Sequence, residues 1–161
     1  MKTAEFWINH LQMDKHPEEG YFKETYKASE VVTLENGNQR SASTGIYFLL
    51  TSDNFSAFHK IKSDEMWHHY QGSAISIYII HPNGELELLK IGNNIDKGEQ
   101  LQGMVPAGCW FGSRVEEPNT YSLVGCTVSP GFEFEDFEMA KRDELILKFP
   151  QHKEIIMSLT R

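Results

Sequence analysis

The chain is poor in cysteine, poor in positive charge and free of long apolar runs. Two cysteines occur among 161 residues, Cys109 and Cys126, both in apolar, strand-like stretches. Stability therefore does not come from a disulfide framework, and both thiols read as small core residues of a reducing compartment. Arginine occurs only at positions 40, 114, 142 and 161, so no cluster exists to grip a diphosphate. Fifteen basic residues face twenty-three acidic ones, a net charge of −8. That excess opposes nucleic acid and anionic membrane as partners, and no local basic patch offsets it. The opening "MKTAEFWINHLQM" is interrupted by Glu5 and His10, so it lacks the apolar core of a signal peptide. No run reaches the length of a membrane span. These absences predict a cytoplasmic protein.

What is present fits one globular domain over residues 1–161. A chain of this size buries roughly 70% of its unfolded surface, enough for a core without staples. Apolar residues make up 40% and charged residues 24%, as in ordinary globular proteins. Thr3 can cap a first helix running to Met13. "YFKETYKA" alternates with period two and predicts a strand. The segments "TGIYFLLT", "SAFHKIK", "EMWHHYQ", "SAISIYIIH", "GELELLKIG" and "YSLVGCTVS" carry the β-branched and aromatic residues of further short strands. Asn83-Gly84 predicts a hairpin, because both residues tolerate positive φ. Pro106 and Gly108 turn the chain onto a strand rather than through a sheet centre. "RDELILKF" and "QHKEIIMSLT" predict two short helices split by Pro150. The expected fold is all-β, a sandwich, barrel or jelly roll, with short N- and C-terminal helices.

Five blocks sharpen this: "HPEEGYFKETY", "GIYFLL", "FHKIKSDEMWHHYQG", "VPAGCWFGS" and "LVGCTVSPGFEFEDFEMA". In this order they resemble the signature of a largely uncharacterised cupin family. That family is similar in fold to dTDP-sugar epimerases of the RmlC type and to seed storage cupins. The resemblance spans roughly residues 5 to 160. It implies a double-stranded β-helix, a cupin jelly-roll barrel, in a homodimer that covers exposed strand edges. One departure stands out: the family reads His-Pro-Glu-Gly-Gly-Tyr, and Glu19 replaces the first glycine. A glutamate adopts glycine's backbone regions only at a cost.

The stretch "FHKIKSDEMWHHYQG" raises the question of a metal. Metal-binding cupins use His-x-His, a Glu, and a later His, a set that suits first-row divalent ions. On that frame His59 and Glu65 keep two ligand positions, while Ile61 and Phe111 occupy the other two and coordinate nothing. His69 falls on the face of Glu65 and Trp67 by alternation, so a trio of His59, Glu65 and His69 is conceivable. The competing reading is a polar cluster at a barrel mouth, with His59 and Glu65 hydrogen-bonded to each other and no metal or other cofactor.

The expected pocket is aromatic with polar tips: Tyr47, His59, Glu65, Trp67, His69 and Phe111, with Phe132 and Phe134 at the mouth. It suits a small, neutral or cationic molecule. Three functions remain open. One is ligand binding without turnover. Another is epimerase- or isomerase-like proton transfer, as the resemblance implies, with His59 as base, Glu65 fixing its tautomer and Tyr47 or Tyr121 as acid. The last is metal-dependent cupin chemistry, ranked behind the others for its missing ligands.

Overall fold

The computed structural model describes all 161 residues. Helix α1 spans Ala4–His10, and its first turn is closed by the Thr3 hydroxyl, which accepts from Phe6 N–H at 3.1 Å. It stops well short of Met13, because Leu11 already caps it. The strands follow as β1 (Asp14–Lys15), β2 (Tyr21–Lys27), β3 (Val31–Thr33), β4 (Gln39–Ser41), β5 (Thr44–Thr51), β6 (Phe55–Lys60), β7 (Asp64–Gly72), β8 (Ile75–Ile80), β9 (Leu86–Ile91), β10 (Gln102–Val105), β11 (Trp110–Val115), β12 (Tyr121–Ser129) and β13 (Glu138–Met139). Helices α2 (Arg142–Lys148) and α3 (Lys153–Ser158) close the chain, with Pro150 in the 3₁₀ turn between them.

Two sheets face each other. One has the order β1-β2-β5-β12-β7-β10 and the other β13-β6-β11-β8-β9, while β3 and β4 form a separate hairpin. All strand ladders are antiparallel, and from β5 onward the chain crosses from one sheet to the other at every step except the β8–β9 hairpin, as in a jelly-roll barrel. The turn holding Pro106 and Gly108 delivers the chain onto β11, which occupies the centre of the second sheet. Asn83-Gly84 makes the β8–β9 hairpin, with Gly84 at φ +88°.

Strand alternation splits the apolar residues into layers. Phe48, Leu50, Trp67, Ile75, Ile77, Ile79, Phe111 and Val124 point between the sheets and form the barrel core. The outer face of the six-stranded sheet is also apolar: Leu49, Tyr121 and Leu123 pack beneath Trp7 and Ile8 of α1. The outer face of the five-stranded sheet carries Phe58 and Ile80 under Leu145, Ile156 and Leu159 of the C-terminal segment. Both cysteines are free and buried, as expected of core thiols.

Candidate functional site

The loop after β1 folds back over the barrel. His16 N–H donates to Gly20 O at 2.9 Å, and Glu19 N–H to His16 O at 3.1 Å. Gly20 at φ +78° lies so close to Leu49 O that a Cβ would meet it at 2.8 Å, and the Phe48 ring crowds the same spot. Glu19 does take the left-handed conformation expected of glycine, at φ +71°, with its carboxylate 3.2 Å from Lys15. The loop thus keeps its geometry despite the substitution, and it seats His16 between Phe22 and Phe48, ring centroids 5.1 and 5.7 Å away.

His16 is one wall of a cavity of about 80 Å³ at this end of the barrel. His59 of β6 and Glu65 of β7 enter it from opposite sheets, and Cys126 of β12 lies between them and Ile46. Ile61, Val128, Phe132 and Phe137 supply apolar walls, and Glu24 stands exposed at the mouth. Phe132 and Phe137 reach it from the segment after β12. A buried ion pair pins that segment: Arg40 Nε and Nη2 donate to the two Asp136 carboxylate oxygens at 2.8 Å each. Phe132 N–H donates to Thr44 Oγ1 at 2.9 Å, which fixes the other end.

The two pocket histidines are neutral and oppositely wired. His59 Nδ1–H donates to Ala57 O at 2.7 Å, so Nε2 carries a free lone pair. His16 Nδ1 accepts from Glu18 N–H at 2.9 Å, so Nε2 carries the proton. Burial drives both pKa values down to about 4, and the nearby His16 ring further opposes a charge on His59. Glu65 is driven the other way. Desolvation raises it to about 7, and the Cys126 thiol beside it pulls only weakly back. No cationic side chain lines the pocket.

The expected site residues are therefore only partly brought together. His59, Glu65 and Phe132 line the pocket. Trp67 and Phe111 are buried behind it, with Phe111 4.2 Å from the His59 ring and 6.5 Å from Trp67, centroid to centroid. They fill the barrel rather than face a ligand. Phe134 is 56% exposed and packs on Phe132 from outside. Tyr47 lies on the far face of its sheet, edge-on to Tyr70, because the barrel side of β5 belongs to Ile46 and Phe48. Tyr121 also faces outward, where its hydroxyl donates to Lys2 O and accepts from Trp7 Nε1–H. No tyrosine lines the pocket, so neither can serve there as the acid. His59 and Glu65 do not hydrogen-bond, since Ala57 O holds the imidazole instead.

His69 shares the inward face of Glu65 and Trp67, but four residues of strand put it about 13 Å from Glu65. Its backbone N–H donates to Leu101 O at the other end of the barrel. The donor set does not fit a resident metal. Ile61 and Phe111 are apolar, and no three His, Cys, Asp or Glu side chains converge in a way that could hold an ion. His16, Glu24, Cys126 and Phe137 were not expected. His16 had a visible signal, a histidine next to Pro17 in the first of the blocks that carry the family resemblance, but no periodicity linked that loop to the strands. A larger groove of about 700 Å³ runs along the C-terminal helices, and no expected site residue borders it.

Fold and site together define a small jelly-roll barrel protein with one buried polar pocket at the barrel end. The pattern of the cupin superfamily (DUF985) matches residues 5–140, and the chain belongs to that family. An uncharacterised protein of Saccharomyces cerevisiae, YML079W, is 35% identical over 86% of this chain and 76% of its own. A hypothetical protein from Leishmania major superposes with a TM-score of 0.93 at 37% identity, covering 99% of each chain. Protein SO0799 from Shewanella oneidensis gives 0.92 at 38% identity, covering 100% of this chain and 99% of its own. Bacillus subtilis oxalate decarboxylase shares the fold alone, with a TM-score of 0.57 at 14% identity over 94% of this chain and 38% of its own.

Proposed function

We propose that this protein binds a small organic molecule in the barrel-end pocket, without a tightly held metal ion. The observation that carries the reading is the pair His59 and Glu65. Both are at least nine-tenths buried, both face a cavity, and neither has an ion-pair partner. Buried polar groups are normally satisfied, so two that face a cavity of about 80 Å³, room for a few heavy atoms, call for a very small polar ligand there. The surrounding Ile46, Ile61, Phe132 and Phe137 would cover the ligand's apolar surface. Thermal-shift and ligand-observed NMR screening of a fragment library tests this, with Ile61→Phe as the filled-pocket control. Binders should lose affinity for the filled variant while its Trp67 near-ultraviolet signal stays folded. Binding that survives the filling would place the ligand elsewhere and end this reading. Metal analysis of the purified protein tests the second half, and one equivalent of bound transition metal would overturn it.

One observation favours a second reading, proton transfer as in an epimerase or isomerase. His59 Nε2 is a free base, and Glu65 is part-protonated near neutral pH in the same pocket. His59 would remove a proton beside a carbonyl and Glu65 would return one. Deuterium uptake at such a carbon in heavy water, lost in His59→Gln, would support turnover over binding alone.

A further inference from the structure

We propose that the pocket is selective for small organic ammonium ions, an inference that rests on the binding reading above. The argument begins with what surrounds Glu65. This carboxyl is 8% exposed and has no cation beside it; the Cys126 thiol is its one polar neighbour of note. Buried carboxylates are normally matched by a positive partner, and the pocket offers neither lysine nor arginine. The imidazoles do not fill that role. His16 has its Nδ1 lone pair taken by Glu18 N–H, and His59 has its Nδ1 proton taken by Ala57 O. What remains at His59 is a bare acceptor, Nε2.

The walls point the same way. Phe132 and Phe137 line the cavity, Phe137 with its ring stacked on His59 at 5.0 Å, and aromatic rings attract cations. Glu24 at the mouth adds a second carboxylate, and the net charge of −8 draws cations toward the molecule. An ammonium head placed among Glu65, His59 Nε2 and the two phenylalanines would give the carboxylate a countercharge, donate to the free imidazole nitrogen and lie beside aromatic rings. A neutral ligand would leave an ionised Glu65 without a countercharge, and an anion would bind only against the protonated carboxyl. The volume of about 80 Å³ limits the ligand to a few heavy atoms beyond the head. Bound ammonium would hold Glu65 ionised, so binding would release a proton. The groups sharing the pocket with Glu65 are His16 from the first loop, Glu24 of β2, His59 of β6 and Cys126 of β12. Of these, Glu65 alone has a pKa shifted close to neutral pH.

The experiment compares three isosteres, isobutylammonium, isobutanol and isobutyrate, by amide chemical-shift titration of the whole chain. Isobutylammonium should bind about tenfold more tightly than isobutanol, with isobutyrate weakest. Its affinity should rise between about pH 6 and about pH 8 as Glu65 ionises. In Glu65→Gln the preference for the amine should fall to about threefold or less, leaving the ring contribution. Isobutanol or isobutyrate binding wild-type protein as tightly as the amine would overturn ammonium selectivity and leave the binding reading standing. So would a screen that yields pocket ligands while the amine fails. Amine binding undiminished in Ile61→Phe would show a surface effect and overturn it too. If neither the library nor the three probes reach the pocket, both readings fall. The wild-type comparison stands without any variant, so a poorly folded Glu65→Gln cannot rescue the idea.

Discussion

Glu19 shows how a single residue can work against the loop that seats a site residue. Its φ of +71° lies in the region where a side chain costs about 1–2 kcal/mol, and its surface pair with Lys15 returns little. Glu19→Gly should raise stability by about 0.5–1 kcal/mol after glycine's own entropy cost, whereas Glu19→Ala should not. Urea midpoints of the two variants decide the point. Glu65 makes a second prediction at this scale. Its folded pKa of about 7 lies above the ordinary 4.5, so the folded state holds a proton that the unfolded state releases. Its contribution is therefore favourable below about pH 4.5 and is lost as pH rises toward 7. Glu65→Gln should gain stability relative to wild type on going from about pH 4.5 to about pH 8, by on the order of 2–3 kcal/mol. Parallel chemical denaturation at the two pH values measures it, and an unchanged difference would mean that Glu65 is hydrated.

Among the elements, the 3₁₀ turn Phe134–Asp136 and its flanking phenylalanines govern the pocket wall. Arg40 reaches it from β4, and Asp136 is held below its ordinary pKa chiefly by the hydrogen bonds from Arg40. Asp136→Asn leaves the buried guanidinium short of charge, so the melting temperature should fall by several degrees and pocket ligands should bind more weakly. Glu135→Gln is the control, because Glu135 is two-thirds exposed at its end of the pair and should matter little. The strands themselves were legible in the sequence. "TGIYFLLT" and "YSLVGCTVS" match β5 and β12 end to end, because turn residues punctuate both sides. The phase of each strand was less legible. The six-stranded sheet is apolar on both faces, one toward the barrel and one toward α1, so alternation alone could not tell Tyr47 from Ile46 and Phe48. Glu65 was legible because it holds the glutamate position of the metal-cupin frame that the family resemblance supplies, on the inward side of β7. His16 was not, since its place over the barrel depends on a loop that folds back through backbone hydrogen bonds. Cys126 was read as core, and it is both core and pocket wall.

At the scale of the whole molecule, β9 and β10 end their sheets with open edges. Both are edge strands, and the chain between them makes an isolated bridge from Ile91 to Gln100. Leu86 and Leu88 of β9, Ile95 and Leu101 of the connecting loop, and Met104 of β10 are all exposed there. Exposed apolar side chains beside open strand edges favour association, since they bury area and remove unpaired ladder positions together. A second copy of the chain is the expected cover. The charge of −8 on each copy opposes this, so the dimer should strengthen as salt rises toward physiological levels and repulsion is screened. Light scattering at micromolar protein should give the mass of two chains, and Leu101→Lys with Met104→Glu should return it to one. A wild-type mass of one chain at physiological salt would end the proposal. A dimer unaffected by those two changes would move the interface to another surface, with the exposed Tyr26, Val31 and Val32 around the β3–β4 hairpin next in line.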